Sequence, residues 1–304
     1  MLSSRAEGEA YKQEYKPKNM VTKEIKQLLE FSIINIDKPK GPTSFSVSDY
    51  VREQLKPLGI RKTSHFGTLD PQVTGVLPIA LNRACKLTGF FLNHNKEYVG
   101  IMHTNKDIEI KDLQEIIDKN FLGKIKQTPP RKSNVKRQER EREIIEFKIL
   151  EKKENHFLFK TFVQGGTYIR KLISDLGEDE TIGRAHMLEL RRINAGIFSE
   201  NKSVSLYQLN EAVKECKKGN EDLLKEMLIP VETAIKEIMP IVLAKENSIE
   251  KLLTGKPVFS QDLEKPKDLP KEGLFAVFFK DQFIEVARIS KEGDIIARPE
   301  FVLN

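Results

Sequence analysis

Apolar residues alternate over Ile145, Phe147 and Ile149 and again over Phe157, Phe159, Thr161 and Val163, with a Lys-Glu-Asn turn between them. A period of two on both sides of a turn predicts an antiparallel pair of half-buried strands. Val47, Tyr50, Val51 and Leu55 instead recur at helical spacing and predict a helix after the Pro39-Lys40-Gly41-Pro42 turn, with Thr43 or Ser44 as its cap. The same reading gives a short strand over Ser32–Asp37, a strand over Lys96–Thr104 and a helix over Ile110–Phe121. Gly165-Gly166 ends the second strand of the pair, and Thr167 is placed to cap a helix running to about Leu176. Two helices follow within Ser205–Leu228. Beyond Met239 short β-rich runs take over: Leu274–Phe279, a Lys280-Asp281-Gln282 turn, Phe283–Ile289, and Asp294–Arg298.

Strands and helices are thus mixed without regular alternation, which predicts an α+β fold rather than a doubly wound parallel sheet. At 304 residues with 39% hydrophobic positions, the chain suits one large domain and a small β-barrel-like one. No Gly-x-Gly-x-x-Gly or P-loop sequence is present, no apolar run reaches membrane-spanning length, and Met1–Lys18 is polar, so a cytoplasmic protein is expected. Lys and Arg number 51 against 45 Asp and Glu, and the resulting +6 mildly favours a polyanionic partner. Cys85 and Cys216 lie far apart and are expected as free thiols. The histidines at 65, 94, 103, 156 and 186 show no metal-ligand spacing, so no metal site is expected.

Two segments carry candidate chemistry. His65-Phe66-Gly67-Thr68-Leu69-Asp70-Pro71-Gln72-Val73-Thr74-Gly75-Val76-Leu77-Pro78 holds one carboxylate among small and apolar residues, and Pro71 biases Asp70 toward an extended backbone. Taken alone, Asp-Pro also reads as a turn in which Asp70 bonds nearby amides. Between Lys124 and Arg142 stand eight basic residues, among them Arg131, Lys132, Lys136 and Arg137, against two acidic ones. Starting at Thr128-Pro129-Pro130 and lacking apolar periodicity, this run predicts a projecting loop that follows a phosphate backbone, or else a solvated charge run.

Several separated motifs, in order, closely resemble the TruB/dyskerin family of RNA pseudouridine synthases. They are Asn35–Ser44, the His65–Pro78 loop, Lys96-Glu97-Tyr98, the Pro129–Arg137 run, Gly166-Thr167-Tyr168-Ile169-Arg170 and Ala185–Arg192. The Pro-Pro-x-Lys-Ser-x-Val-Lys-Arg form and the C-terminal appendage are similar to the archaeal and eukaryotic branch. The resemblance implies a pseudouridine synthase fold with a central mixed, largely antiparallel sheet over 31–237, a PUA-like RNA-binding domain over 238–304, and an arm over 1–30 that packs on the C-terminal domain.

It implies Asp70 as the catalytic residue, Arg170 as its cation, Tyr98 as the aromatic against the everted base, His65 as a filler of the vacated space, and Tyr168 and Leu190 in the pocket. Arg131, Lys132, Lys136 and Arg137 are implied as RNA contacts, and Lys38 as a support for the catalytic loop. Converting uridine to pseudouridine breaks a C–N bond and forms a C–C bond within one nucleotide, so no cofactor is implied. The implied substrates are the T-loop uridine of tRNA, guide-directed rRNA sites, or both. In the guide-directed form the implied partners are an H/ACA guide RNA, Nop10, Gar1 and L7Ae. Phe66 stands where that family has a small residue, and an altered pocket entrance is expected from it. Val258–Asp262 departs from the usual PUA turn. A non-catalytic RNA-binding scaffold of the same kind of particle stays open as the alternative, although it has no use for Asp70, Tyr98 and Arg170 together.

Overall fold

The structure is a computed structural model that describes residues 25–128 and 138–304. Helix α1 (Ile25–Glu30) leads into strand β1 (Ser32–Lys38), and α2 (Ser44–Leu55) follows the expected turn with Thr43 accepting the Ser46 N–H at its cap. Next come β2 (Thr63–His65), β3 (Thr74–Leu81), α3 (Thr88–Leu92), β4 (Lys96–Thr104) and α4 (Ile110–Asn120). A three-strand meander of β5 (Gly123–Gln127), β6 (Arg140–Lys153) and β7 (His156–Val163) precedes α5 (Ile169–Leu176), β8 (Ala185–Ala195) and β9 (Phe198–Ser199). Helices α6 (Leu206–Lys217) and α7 (Asp222–Met227), strand β10 (Leu228–Pro230) and helix α8 (Val231–Ile238) complete the larger part.

The large sheet runs β10-β1-β3-β8-β4-β7-β6-β5, with β2 on β3 and β9 on β8; the β3–β8 pair is parallel and its other pairs are antiparallel. A mixed, largely antiparallel sheet is therefore what forms. Strand β3 explains why: its side chains alternate between two dry faces, with Leu77, Ile79 and Leu81 in one core and Val76 and Ala80 in the other. The first core takes the apolar faces of α2, α4, α5 and α6. The second is closed by the C-terminal sheet.

That sheet is formed by β11 (Ile241–Leu243), β12 (Val258–Phe259), β13 (Leu274–Phe279), β14 (Gln282–Glu292) and β15 (Ile295–Val302), in the order β11-β13-β14-β15-β12, with α9 (Ile249–Leu253) beside it. Along β13, Phe275 and Val277 fill its own core while Ala276 and Phe278 reach the core shared with the large sheet. Phe31 stacks on Phe283 and Phe301 at ring separations of 5.9 and 6.1 Å, so the entry to β1 rests on the C-terminal sheet. Residues 1–24 of the expected arm lie outside the described residues.

Four local expectations are corrected. Thr167 does not cap α5; its hydroxyl closes a turn on the Gln164 carbonyl, and Tyr168 occupies the cap position without a side-chain bond. Bulges in β6 between Ile144 and Glu146 and between Ile149 and Glu151 shift the inward face, so Ile144 is buried and Ile145 is 44% exposed. The flanks of the basic run are not loop: Lys124 and Lys126 sit on β5, Arg140 and Arg142 on β6, and Glu141 and Glu139 pair with the two lysines, while the expected loop from Pro129 to Arg137 lies outside the described residues. Phe66 does not share the core of Tyr98 and Leu190; it is buried in the core closed by the C-terminal sheet and stacks on Phe91 at 4.7 Å.

Candidate active site

The Asp70 loop is fixed from beneath. Lys38, at the end of β1 and fully buried, donates to the carbonyls of Pro39 (2.9 Å), Pro71 (3.2 Å) and Val73 (2.8 Å). Burial lowers its pKa and the charge of Asp70 opposes that shift, so the ammonium sits within the field of the carboxylate. Ser44 holds the other side, its hydroxyl donating to the Leu69 carbonyl at 2.9 Å and accepting the Leu69 N–H at 2.7 Å. The Gly41 N–H reaches the Pro71 carbonyl at 2.8 Å, so bonds flank Asp70 in sequence on both sides.

Arg192 supplies the third anchor. It is 1% exposed and donates to the Val76 carbonyl (2.7 Å) and the Gly67 carbonyl (3.1 Å), bracketing the loop. The neighbouring Arg191 faces the other way and grips both oxygens of Asp37, with Glu200 on its Nε. Gly75 lies against the Arg192 backbone at φ +101°, and a Cβ there would meet the Arg192 carbonyl oxygen at 2.2 Å. Only glycine fits that parallel crossing.

Asp70 is left half-exposed, and Arg170 in the first turn of α5 meets its Oδ2 at 2.8 Å. With side chains 44% and 52% exposed, such a pair is worth about 0–1 kcal/mol to stability, so it matters as orientation. The start of α5 is itself tethered: buried Gln127 on β5 donates to the Tyr168 carbonyl and accepts the Tyr168 N–H. Tyr98 on β4 and Leu190 on β8 lie on the face against which α5 packs, at 8% and 6% exposure. Leu190 covers Gly100, where a Cβ would come within 2.9 Å of its Cδ1.

His65, at the end of β2, has its Nε2 3.2 Å from the Thr68 hydroxyl. Burial, and then the charge of Arg192, push its pKa below the ordinary 6.5, so the imidazole is neutral at pH 7. Lys96, two residues before Tyr98, is pushed down to about 8 by burial and by Arg192, and its ammonium donates to the carbonyls of Leu92 and His94.

Asp70 and Arg170 are thus in direct contact, Tyr168 adjoins Arg170 at the start of α5, His65 lies within the field of Arg192, and Tyr98 and Leu190 belong to one core across β4 and β8. Arg131, Lys132, Lys136 and Arg137 lie outside the described residues. The sequence reading missed Arg192, Ser44 and Gln127. The two arginines side by side on a strand were a signal for the first, since one of them must point inward. Strand pairing also aligns His103 with His156 and His186 on β7-β4-β8, ring centroids 5.1 and 5.0 Å apart, and no spacing in the sequence shows this. Among the described residues no group of three or more His, Cys, Asp or Glu is arranged to hold a metal.

The chain matches the TruB family pseudouridylate synthase N-terminal domain over residues 55–169 and the tRNA pseudouridylate synthase B C-terminal domain over residues 170–236. It is 45% identical over 218 residues to a probable tRNA pseudouridine synthase B of Nanoarchaeum equitans, covering 71% of this chain and 61% of that relative. To the protein of the same name from Methanococcus maripaludis it is 40% identical, over 80% of this chain and 72% of the relative. Among solved structures it superposes on a chain of a Cbf5–Nop10–Gar1 complex with a TM-score of 0.82 at 31% identity, covering 92% of this chain and 87% of that one. A chain of an H/ACA ribonucleoprotein bound to a substrate RNA containing 2′-deoxyuridine gives 0.80 at 28% identity, covering 93% and 88%. Fold and sequence together define a pseudouridylate synthase. The chain belongs to the TruB family.

Proposed function

We propose that this protein isomerises uridine to pseudouridine in RNA, with Asp70 as the catalytic residue. The observation that carries this is the Asp70–Arg170 contact at 2.8 Å, held on a loop that Lys38, Ser44 and Arg192 fasten from three directions. An ionised carboxylate can attack the ribose C1′ or add to the base, and both routes need it unprotonated and fixed in direction. A uridine stacked in folded RNA does not present its glycosidic bond, so the nucleotide must be everted. Tyr98, with its ring fixed in the sheet, gives the everted base a surface; stacking on an aromatic is worth about 1–3 kcal/mol. Neutral His65 fills space near the base without adding a charge, and Tyr168 and Leu190 bound the pocket. No redox change and no group transfer occur, so the reaction runs without a cofactor.

The substrates proposed are the T-loop uridine of tRNA and guide-directed rRNA uridines. The names of the relatives favour the first, and the Cbf5–Nop10–Gar1 and H/ACA likenesses favour the second, with Nop10, Gar1, L7Ae and a guide RNA as partners. Arg131, Lys132, Lys136 and Arg137 are assigned to the RNA backbone. Arg61, Lys62, Arg83 and Lys86 line a cavity of ≈ 780 Å³ beside β2 and offer a further set of cations to phosphate. The C-terminal sheet is read as the PUA-like RNA-binding part, divided from the catalytic part near residue 238. No helix among the described residues is long and apolar enough to cross a membrane, and the cytoplasm is where the RNA substrate is placed.

Tritium release from 5-tritiated uridine in unmodified tRNA, with and without guide RNA and partner proteins, tests this reading. Release from tRNA alone assigns a stand-alone enzyme, and release only with guide RNA assigns the particle. No release under either condition overturns the isomerase reading in favour of an RNA-binding scaffold.

A further inference from the structure

Phe45 is 73% exposed, and Tyr207 is the one other aromatic among the exposed large hydrophobics of the described residues. Its place is specific. Ser44, the residue before it, turns inward and is bonded in both directions to Leu69, the residue before Asp70. Gly41 bonds to Pro71, the residue after Asp70. Lys40, in the same strap, reaches Glu189 at 3.8 Å, and Glu189 adjoins Leu190 of the pocket. The strap 40–45 therefore runs along the margin of the site from the Asp70 loop toward β8. One residue on from Ser44 is a rotation of about 100° around α2, which turns Phe45 out of the core and into solvent.

An exposed phenyl ring has no internal purpose to serve, since burial would lower its free energy. Phe has no polar handle either, which leaves stacking and apolar contact as its chemistry. Sequence-tolerant capture of unpaired bases uses such rings, because every base has a π-face. We propose that Phe45 is a substrate-positioning residue that stacks on an unpaired nucleobase next to the everted uridine. This rests on the isomerase reading, which brings a single-stranded nucleotide to Asp70; its neighbours in the RNA strand then pass over the first turn of α2. Phe45 holds the strand while Asp70 acts on the uridine.

The test uses the full chain with Phe45→Leu, Phe45→Trp and, as a control, Tyr207→Leu, whose equally exposed ring in α6 has no bond to the Asp70 loop. Substrate RNA carries 2-aminopurine at the nucleotide on either side of the target uridine, and binding is read with Asp70→Asn combined with each variant. Stacking quenches the 2-aminopurine of one of the two RNAs on binding. Phe45→Leu is expected to abolish that quench and weaken binding about tenfold, while Phe45→Trp keeps both and Tyr207→Leu changes neither. With Asp70 restored, Phe45→Leu is expected to raise KM about tenfold with kcat unchanged.

Quench and affinity unchanged in Phe45→Leu overturn the proposal and leave the ring to a protein partner. Equal losses in Phe45→Leu and Phe45→Trp overturn it in favour of a packing role. Losses in Tyr207→Leu as large as in Phe45→Leu overturn it as a general surface effect. Failure of the isomerase reading looks different, because then wild type itself releases no tritium.

Discussion

Glu285 on β14 is fully buried, and neither of its side-chain oxygens has a hydrogen-bond partner. Burial, with Asp262 nearby adding to the effect and Lys251 opposing it, moves its pKa from 4.5 to about 8. Asp262 goes the other way: burial works against its charge, but Lys251, the Phe259 N–H and the Ser248 hydroxyl bond to it and hold its pKa below 3.8. At pH 7.5 the folded chain therefore mostly keeps a proton on Glu285 that the unfolded chain has released. Between about 4.5 and 8 folding takes up that proton, so this residue's contribution to stability is complete below 4.5 and declines as pH rises to 8.

The slope approaches 1.4 kcal/mol per pH unit. From these values the loss between pH 5.5 and 7.5 is about 2.5 kcal/mol. Glu285→Gln has nearly the same shape and no proton to lose. Urea unfolding followed by circular dichroism at both pH values is expected to show the advantage of the variant over wild type growing by about 2.5 kcal/mol as pH rises. Parallel pH dependences for the two proteins would refute the assignment of Glu285 as a protonated buried acid.

Three further outcomes follow from the site. Arg170→Lys keeps the charge but loses the guanidinium nitrogen set 2.8 Å from Asp70 Oδ2, and kcat is expected to fall at least tenfold with RNA affinity unchanged; equal kcat would remove the orienting role. Gly75→Ala places a methyl group into the Arg192 carbonyl and shifts the loop, so expect soluble yield or melting temperature to drop along with activity; a wild-type melting curve would show that the β3–β8 crossing has slack. Lys136→Ala with Arg137→Ala is expected to weaken RNA binding and to flatten log K against log salt by about 1.4, at ~0.7 per lost contact to single-stranded phosphate. An unchanged slope would take the basic run out of the RNA path.

Regular alternation made much of the architecture legible. Lys96–Thr104 is the strand its pattern predicts, because β4 has one core face and one half-exposed face. The hairpin of β13 and β14 was likewise marked by its turn. Ile144 was hidden because a bulge resets parity, which no periodicity reports. The expectation for Phe66 failed because a loop residue can turn to either face, and Phe91 and Phe198 were waiting on the far side. Of the site, Asp70 and Arg170 were legible from ordered motifs. Arg192, Ser44 and Gln127 were not, since what each satisfies is a backbone group distant in sequence, visible only after the strands pair. The basic run shows the same limit from another side: part of its charge is spent on Glu139 and Glu141 across a hairpin.

The central claim is that the carboxylate of Asp70 does the chemistry, and Asp70→Asn tests it most directly. Single-turnover tritium release is measured with variant and wild type, both saturated with substrate RNA, and affinity is measured separately. The expected result is RNA binding within a few-fold of wild type and no pseudouridine formed. Pseudouridine made by Asp70→Asn at a rate near wild type would contradict the account.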